Sequence, residues 1–191
     1  WNLMALFVEV ADEEALARRV LELGEEISAD YVDKAPVMIG VLNGSVPFMA
    51  DLVRAMSIDL AVDFLSLTRF DGAGKVGMAL DAGVPLEGRH VILVEDIVDT
   101  GLTLVTLRKM ISLHDVASLA TVALLDKAPR RIVEVPVEYR GFEVGDEFLI
   151  GYGLDWNHSY RNARGLWAVM DLAALQNDPA AFTPFAYPAR A

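Results

Sequence analysis

The sequence contains no cysteine, which excludes disulfide bonds, thiol nucleophiles and thiolate metal sites. It also lacks an uncharged apolar stretch of the about 20 residues that a membrane-spanning helix needs, so we expect no membrane anchor. No basic segment precedes a secretory apolar run, and we therefore expect no export. Together these absences favour a cytoplasmic location.

Positive charge is scarce, because 16 Lys and Arg residues against 28 Asp and Glu residues leave a formal net charge of −12. General nucleic-acid binding depends on basic side chains that neutralise phosphates, so this balance predicts no nucleic-acid partner. An anionic ligand would need local compensation from a metal ion, oriented N–H groups or a few well-placed cations.

The composition is that of a globular chain of 191 residues, 54% hydrophobic and 23% charged. Neither a repeat nor a linker divides it, so we expect one domain over residues 1–191. Strand-like and helix-like patterns alternate, which predicts an α/β fold with a central parallel sheet. The predicted strands are 37–42, 60–67, 91–94, 118–125, 148–152 and 167–172, and the predicted helices begin near Asp12, Pro47 and Thr103.

Two segments are predicted to lack regular structure. Residues 71–82 read as a loop, made mobile near its start by two glycines. The tail contains Pro179, Pro184 and Pro188, so it cannot form a long helix and is expected to be loose.

The most informative segment is 91–104, with the sequence VILVEDIVDTGLTL. A buried strand leads directly into the carboxylates of Glu95, Asp96 and Asp99 and into a Thr-Gly-x-Thr turn, which places them at the carboxyl edge of the predicted sheet. The turn offers N–H and hydroxyl groups to an anion, whereas the carboxylates accept hydrogen bonds or bind a cation. A ligand that satisfies both carries phosphate, hydroxyls and a divalent metal, and a phosphorylated sugar fits that description.

This segment resembles the phosphoribosyl-pyrophosphate (PRPP) signature of the type I phosphoribosyltransferases, and its Glu-Asp-Ile-Val-Asp-Thr-Gly form is similar to the hypoxanthine-guanine branch. Two further segments support the resemblance, Val-Leu-Asn-Gly-Ser with Pro-Phe-Met-Ala-Asp-Leu at 41–52 and the aromatic-rich run 147–162. Lys127 stands where the family has a lysine. The resemblance extends over residues 6–170.

The resemblance implies a type I phosphoribosyltransferase fold, with helices on a central parallel sheet and a small hood made from the N-terminal arm and roughly residues 140–175. It implies transfer of the 5-phosphoribosyl group of PRPP to a 6-oxopurine, hypoxanthine or guanine, giving IMP or GMP and pyrophosphate in purine salvage. It further implies a Mg²⁺ cofactor and, since relatives are usually dimers or tetramers, a homo-oligomer.

The family's roles carry over to the central motif residue by residue. The acids matching Glu95 and Asp96 bind the ribose hydroxyls, directly or through magnesium. The acid matching Asp99 lies near purine N7 and handles its proton; as a residue before a helix it is also a candidate N-cap. The family's 5′-phosphate cradle matches Asp99, Thr100, Gly101, Leu102 and Thr103.

At the pyrophosphate end, Asn43 and Gly44 match a loop in which the peptide before the glycine is often cis, although a plain strand-to-helix turn is an alternative. The family usually has Lys or Arg in place of Asn43. Arg161 matches another pyrophosphate contact and would supply the cation that Asn43 lacks. Asp155 matches a magnesium-binding carboxylate and is also assigned to the purine subsite.

At the purine end, Lys127 matches the lysine that donates to the oxygen on purine C6. An ammonium has only donors, so it accepts a 6-oxo group and rejects the 6-amino group of adenine. Phe148 matches the aromatic that stacks on the base, with a core aromatic as the alternative. Leu149 would contact the base through its main chain, and Trp156 replaces the more usual Tyr.

Two departures keep other functions open. Phe70 stands where many relatives carry a tyrosine at the root of a closing loop, and closure there would exclude water from the reaction. Together with Asn43, this leaves two alternatives: a xanthine-preferring transferase, and a non-catalytic relative that senses PRPP or nucleotides.

Overall fold

The computed structural model describes residues 6–69, 76–80 and 83–187. The strands are β1 (Phe7–Ala11), β2 (Val37–Val41), β3 (Ala61–Arg69), β4 (Val76–Leu80), β5 (His90–Val98), β6 (Ser118–Asp126), β7 (Tyr139–Glu143), β8 (Phe148–Ile150) and β9 (Leu166–Val169). The helices are α1 (Glu13–Asp30), α2 (Val46–Ala55), α3 (Leu102–Ser112), α4 (Leu172–Asn177) and α5 (Thr183–Ala186). Short 3₁₀ turns cover Ala128–Arg130 and Pro179–Phe182.

The larger sheet has the strand order β4-β3-β2-β5-β6-β7. Its strands from β3 to β7 in this order are parallel, and β4 pairs antiparallel with β3 at one edge. All of β2 and the segment 91–94 of β5 are buried, as expected for a parallel sheet covered on both faces. The predicted α/β fold with a central parallel sheet flanked by helices is confirmed.

The helices follow from capping and periodicity in the sequence. Asp12 is the N-cap of α1, since its carboxylate accepts a hydrogen bond from the N–H of Ala15 at 2.8 Å. The apolar stripe of α1 is buried and belongs to the same core cluster as the apolar face of α2. Because β2, β5 and β6 are parallel neighbours in register, their carboxyl ends lie side by side at one edge of the sheet.

The smaller sheet, β1-β9-β8, is antiparallel and joins the start of the chain to residues 148–169. Its apolar face packs on the tail, where Phe182 is fully buried and lies 5.0 Å between ring centroids from both Phe7 and Tyr160. The expectation of a loose tail is therefore wrong as far as Tyr187, because these aromatic contacts fix the short turns that the prolines permit. Pro188 lies outside the described residues.

Two strands of the larger sheet were not expected. Val76–Leu80 forms β4 within the segment predicted as a loop, while residues 70–75 and 81–82, including Phe70, lie outside the described residues. Tyr139–Glu143 forms β7, parallel to β6. None of the helices in the described ranges has the length and apolar character needed to span a bilayer. The cytoplasmic location stays a prediction.

Candidate active site

The site begins where β5 ends and α3 starts. Gly101 is the N-cap of α3 and has a φ of +85°, a left-handed conformation that side chains other than glycine rarely adopt. A Cβ atom there would also lie 2.9 Å from the carbonyl oxygen of Val133. Backbone conformation and close packing both require glycine, so the turn leads tightly into the N-terminus of the helix, where N–H groups are available to an anion.

A cavity of about 330 Å³ lies over this turn. It is lined by Glu95, Asp96, Ile97, Val98, Asp99, Thr100, Gly101, Thr103 and Leu104. Leu102, which the sequence assigns to the phosphate cradle, instead exposes its side chain and contributes only through its backbone position at the helix start. Of two larger concavities, one of about 610 Å³ is lined by Arg161 and by residues of α1 and α2, and one of about 750 Å³ lies by residues 25–35 and 57–59; neither is lined by the acids of β5.

Of the two consecutive acids of β5, Glu95 is buried and Asp96 is partly buried. Burial raises the pKa of Glu95 well above its usual range, and the neighbouring charge of Asp96 adds to this effect. Burial likewise raises the pKa of Asp96 to about 6, opposed by a hydrogen bond from the N–H of Ile97 at 2.8 Å and by the charge of Arg161. Neither acid forms a salt bridge with any residue in the described ranges. Such a pair is suited to an external cation or to hydroxyl donors.

The loop after β2 closes directly on these acids. A Cβ at Gly44 would lie 1.6 Å from Oδ2 of Asp96, and a Cβ at Gly153 would lie 2.0 Å from the carbonyl oxygen of Gly44. A cis peptide joins Leu42 to Asn43, one peptide earlier than the one that directly precedes the glycine. The loop at Gly44 therefore lies between the carboxylate of Asp96 and the turn at Gly153.

Arg161 and Asp155 lie next to the turn at Gly153. The guanidinium of Arg161 donates to the carbonyl oxygen of Gly153 at 2.7 Å and pairs with Oδ1 of Asp155 at 2.7 Å. Oδ2 of Asp155 accepts from the N–H of His158, also at 2.7 Å. Asp155 and Arg161 both act on the pKa of Asp96, in opposite directions, so the pyrophosphate and ribose segments share one electrostatic environment.

The predicted purine residues lie on the other side of the β5 terminus. Lys127 is buried, its backbone N–H donates to the carbonyl oxygen of Val98 at 3.0 Å, and its ammonium donates to that of Glu147 at 2.6 Å. Phe148 packs edge-on against Trp156, with ring centroids 5.5 Å apart, and Leu149 is buried beside it. Lys127 thereby connects the end of β5 to the strand that carries the aromatic.

Sequence reasoning missed two arginines that bracket Asp99. Nε of Arg130 donates to Oδ1 of Asp99 at 2.6 Å, and Nη1 of Arg130 pairs with Asp146. Arg131 donates to the carbonyl oxygens of Val98 and Asp99. The available signal was two adjacent arginines beginning three residues after Lys127 in a chain otherwise short of positive charge.

Comparison with known proteins places this geometry in a family. Residues 8–157 match the phosphoribosyl transferase domain. A hypoxanthine-guanine phosphoribosyltransferase of Streptococcus pneumoniae is 40% identical over 145 residues, which cover 74% of this chain and 81% of the relative. The chain belongs to the hypoxanthine-guanine phosphoribosyltransferase family. The enzyme of the same name from Lactococcus lactis is 39% identical over 157 residues, 80% of this chain and 85% of its own.

Solved structures of the hypoxanthine-guanine phosphoribosyltransferase family share the architecture. A hypoxanthine phosphoribosyltransferase from Staphylococcus aureus superimposes with a TM-score of 0.83 at 34% identity, covering 86% of this chain and 91% of that one. A hypoxanthine-guanine phosphoribosyltransferase from Bacillus anthracis gives 0.82 at 39% identity, covering 87% and 98%. The type I phosphoribosyltransferase fold expected from the sequence is confirmed.

Proposed function

We propose that this protein transfers the 5-phosphoribosyl group of PRPP to hypoxanthine or guanine, releasing pyrophosphate and giving IMP or GMP in purine salvage. The observation that carries the proposal is the cavity at the end of β5, where an anion-accepting turn lies beside Glu95 and Asp96, two acids that form no salt bridge with a described residue. The names of the relatives and the intact acids favour this activity over a xanthine-preferring enzyme or a non-catalytic nucleotide sensor.

The phosphate end of the substrate fits the turn. Thr100 and Thr103 offer hydroxyls, and the N–H groups that open α3 have no partners within the helix. The helix dipole favours an anion at this position. We assign the 5′-phosphate to this turn, with the backbone of Leu102 rather than its side chain in contact.

The donor set also fits magnesium. In the part of the chain that the structure describes, no three acidic or histidine side chains are grouped to hold a metal by themselves. Magnesium commonly takes one or two carboxylates and completes its shell with water and substrate oxygens. Glu95 and Asp96 would supply the carboxylates, with Asp155 close to the pyrophosphate. When bound, the ion would neutralise charge on the leaving pyrophosphate.

Charge placement around the sugar fits the reaction. As pyrophosphate leaves, the ribose C1 becomes positively charged, and the carboxylates of Glu95 and Asp96 would stabilise that charge. Oδ1 of Asp99 is taken by Arg130, whereas Oδ2 forms no hydrogen bond with a described residue. We assign that second oxygen to the N7 proton of the purine.

Recognition of the base rests on Lys127 and Phe148. The ammonium of Lys127 has three donors and directs two of them to the carbonyl oxygens of Glu147 and Asp146, at 2.6 and 3.4 Å, so the third can donate to a 6-oxo group. Phe148 is fixed on one edge by Trp156 and would stack on the base. The small sheet that carries it would form the hood over the base within a single domain.

The test is incubation of the protein with PRPP, Mg²⁺ and a panel of purines, followed by absorbance and chromatography of the products. We expect IMP or GMP with hypoxanthine or guanine, and no AMP with adenine. Replacement of Asp99 with Asn should reduce turnover strongly, while the Tm stays close to that of the parent. Product with xanthine alone, or binding of PRPP without any product, would overturn the proposal in favour of one of the alternatives. Assembly into dimers or tetramers stays a prediction.

A further inference from the structure

Arg130 joins two carboxylates that belong to different parts of the site. Its Nε lies 2.6 Å from Oδ1 of Asp99, on the turn after β5, and its Nη1 pairs with Asp146, just ahead of β8. The guanidinium is planar and permanently charged, so two partners at two of its nitrogens fix the orientation of the whole group. Asp146 thereby determines how Arg130 presents itself to Asp99.

Lys127, three residues before Arg130, makes a second contact with the base-recognition segment at the start of β8. The ammonium of Lys127 donates to the carbonyl oxygen of Glu147, and the ring of Phe148 follows directly. Two cations therefore connect the end of β5 to the residues just before β8. Lys127 does so through a main-chain carbonyl, and Arg130 does so through the side chains of Asp99 and Asp146.

The bridge does little for stability. The side chains of Arg130, Asp99 and Asp146 are 41%, 44% and 74% exposed, and ion pairs at such exposure contribute little to folding because water screens them. Only one oxygen of Asp99 is occupied by Arg130, and the carboxylate lines the cavity. An arrangement that orients one oxygen and leaves the other available suits a group that must meet a proton at a defined place.

We propose that Arg130, oriented by Asp146, is a positioning residue that holds Asp99 for proton handling at purine N7. The inference rests on the proposed function and adds a residue to it. Arg130 acts through Asp99 and does not itself touch the base. Loss of the bridge should therefore lower kcat and leave binding of PRPP unchanged.

The experiment compares Arg130→Gln, Arg130→Lys and Asp146→Asn with the parent protein by steady-state kinetics. We expect Arg130→Gln to lower kcat about tenfold, part of the about 10²–10⁴-fold that a positioned acid–base group supplies, with KM for PRPP within about twofold. Arg130→Lys, which cannot bridge two carboxylates as a planar fork, should retain an intermediate kcat. Arg164→Gln is the matched control, since Arg164 forms an exposed 2.6 Å pair with Glu13 and should leave kcat unchanged.

A double-mutant cycle separates positioning from a general structural role. In an Asp99→Asn background, Arg130→Gln should change kcat by less than about twofold, because the group through which it acts is already gone. An equal loss in both backgrounds, an unchanged kcat in Arg130→Gln, or an effect confined to KM for PRPP would each overturn the inference. If the parent protein itself forms no nucleotide with any base, the proposed function fails instead, and the two failures are distinguishable.

Discussion

Two neighbouring strands end in buried carboxylates, and the two ends handle their charge in opposite ways. At the end of β6, Asp126 is 2% exposed and lies 2.5 Å from a guanidinium nitrogen of Arg131 and 3.2 Å from one of Arg140. At the end of β5, Glu95 is 5% exposed, and neither it nor Asp96 has a cationic partner in the described ranges. In the strand register Asp126 lies opposite Val98 and Glu95 lies opposite Ala123, so the acids of β5 lie two to three residues further from the carboxyl edge than Asp126 does.

The carboxylate of Asp126 stabilises the fold, whereas those of Glu95 and Asp96 are available to a ligand. A buried carboxylate costs free energy unless a cation or donors compensate it. The fold supplies that compensation to Asp126, whereas Asp96 receives only the hydrogen bond from Ile97 and the more distant charge of Arg161. Burial therefore raises the pKa of both Glu95 and Asp96. We infer that the missing cation and donors arrive with the substrate.

The largest expected effect comes from neutralising the acids of β5. Glu95→Gln combined with Asp96→Asn should lower kcat/KM for nucleotide formation about 10³-fold, which corresponds to about 4 kcal/mol in the activation barrier. The free energy of unfolding at pH 7 should stay the same or rise, since neutral amides replace two acids whose charged forms burial disfavours. Kinetics and urea denaturation measure the two quantities. A variant that keeps full activity would show that the acids of β5 do not bind the substrate or its metal ion.

Neutralising the acid of β6 should have the opposite consequence. Asp126→Asn leaves two guanidinium groups facing a neutral amide, one of them, Arg131, largely buried. We expect the free energy of unfolding to fall by about 3–5 kcal/mol, as for other buried pairs that lose one partner. Urea denaturation followed by circular dichroism measures it. A loss as small as that of an exposed ion pair would show that Asp126 is no more structural than the acids of β5.

The sequence predicted the central part of this site because its chemistry is contiguous. Glu95, Asp96 and Asp99 follow a buried strand within one short segment, and alternation of strands with helices predicts which edge they occupy. The register of three parallel strands then brings in the loop at Gly44 and the backbone of Lys127. Motif order and sheet topology were sufficient for these residues.

Features that depend on distant partners were not predicted. Arg130 reaches Asp99 across 31 positions in the chain, and no local pattern distinguishes it from a solvated arginine. β7, with the sequence YRGFE, carries too little apolar periodicity to be recognised and is ordered by pairing with β6. The tail is fixed by Phe182 meeting Phe7, contacts between the two ends of the chain that proline content cannot reveal.

The pH dependence of the free energy of unfolding tests whether Asp96 is an acid that the fold leaves without a cationic partner. Burial raises the pKa of Asp96 from 3.8 to about 6, so the folded protein binds this proton more tightly than the unfolded chain does. Without metal or substrate, Asp96 should therefore destabilise the fold above pH 6, and that cost should vanish as the pH falls below about 4. Asp96→Asn should exceed the parent in unfolding free energy by up to about 3 kcal/mol at pH 7, and by nothing at pH 4. Urea titrations across this range, in the presence of EDTA, measure the gap. A gap that does not change with pH contradicts the assignment of an uncompensated buried acid.

The smallest expected effect lies within the β6 cluster itself. Arg140 is 56% exposed and stands 3.2 Å from Asp126, whereas Arg131 is 16% exposed and closer. Arg140→Gln should therefore lower the free energy of unfolding by less than about 1 kcal/mol, and the loss should shrink further in high salt, because water and ions already screen this charge. Arg131→Gln should cost several times more, with little dependence on salt, because Arg131 is less exposed and also donates to the carbonyl oxygens of Val98 and Asp99. Equal losses would mean that burial of the cation does not decide the strength of the pair. The different roles of the acids on β5 and β6 would then depend on the geometry of their contacts and not on burial of the charges.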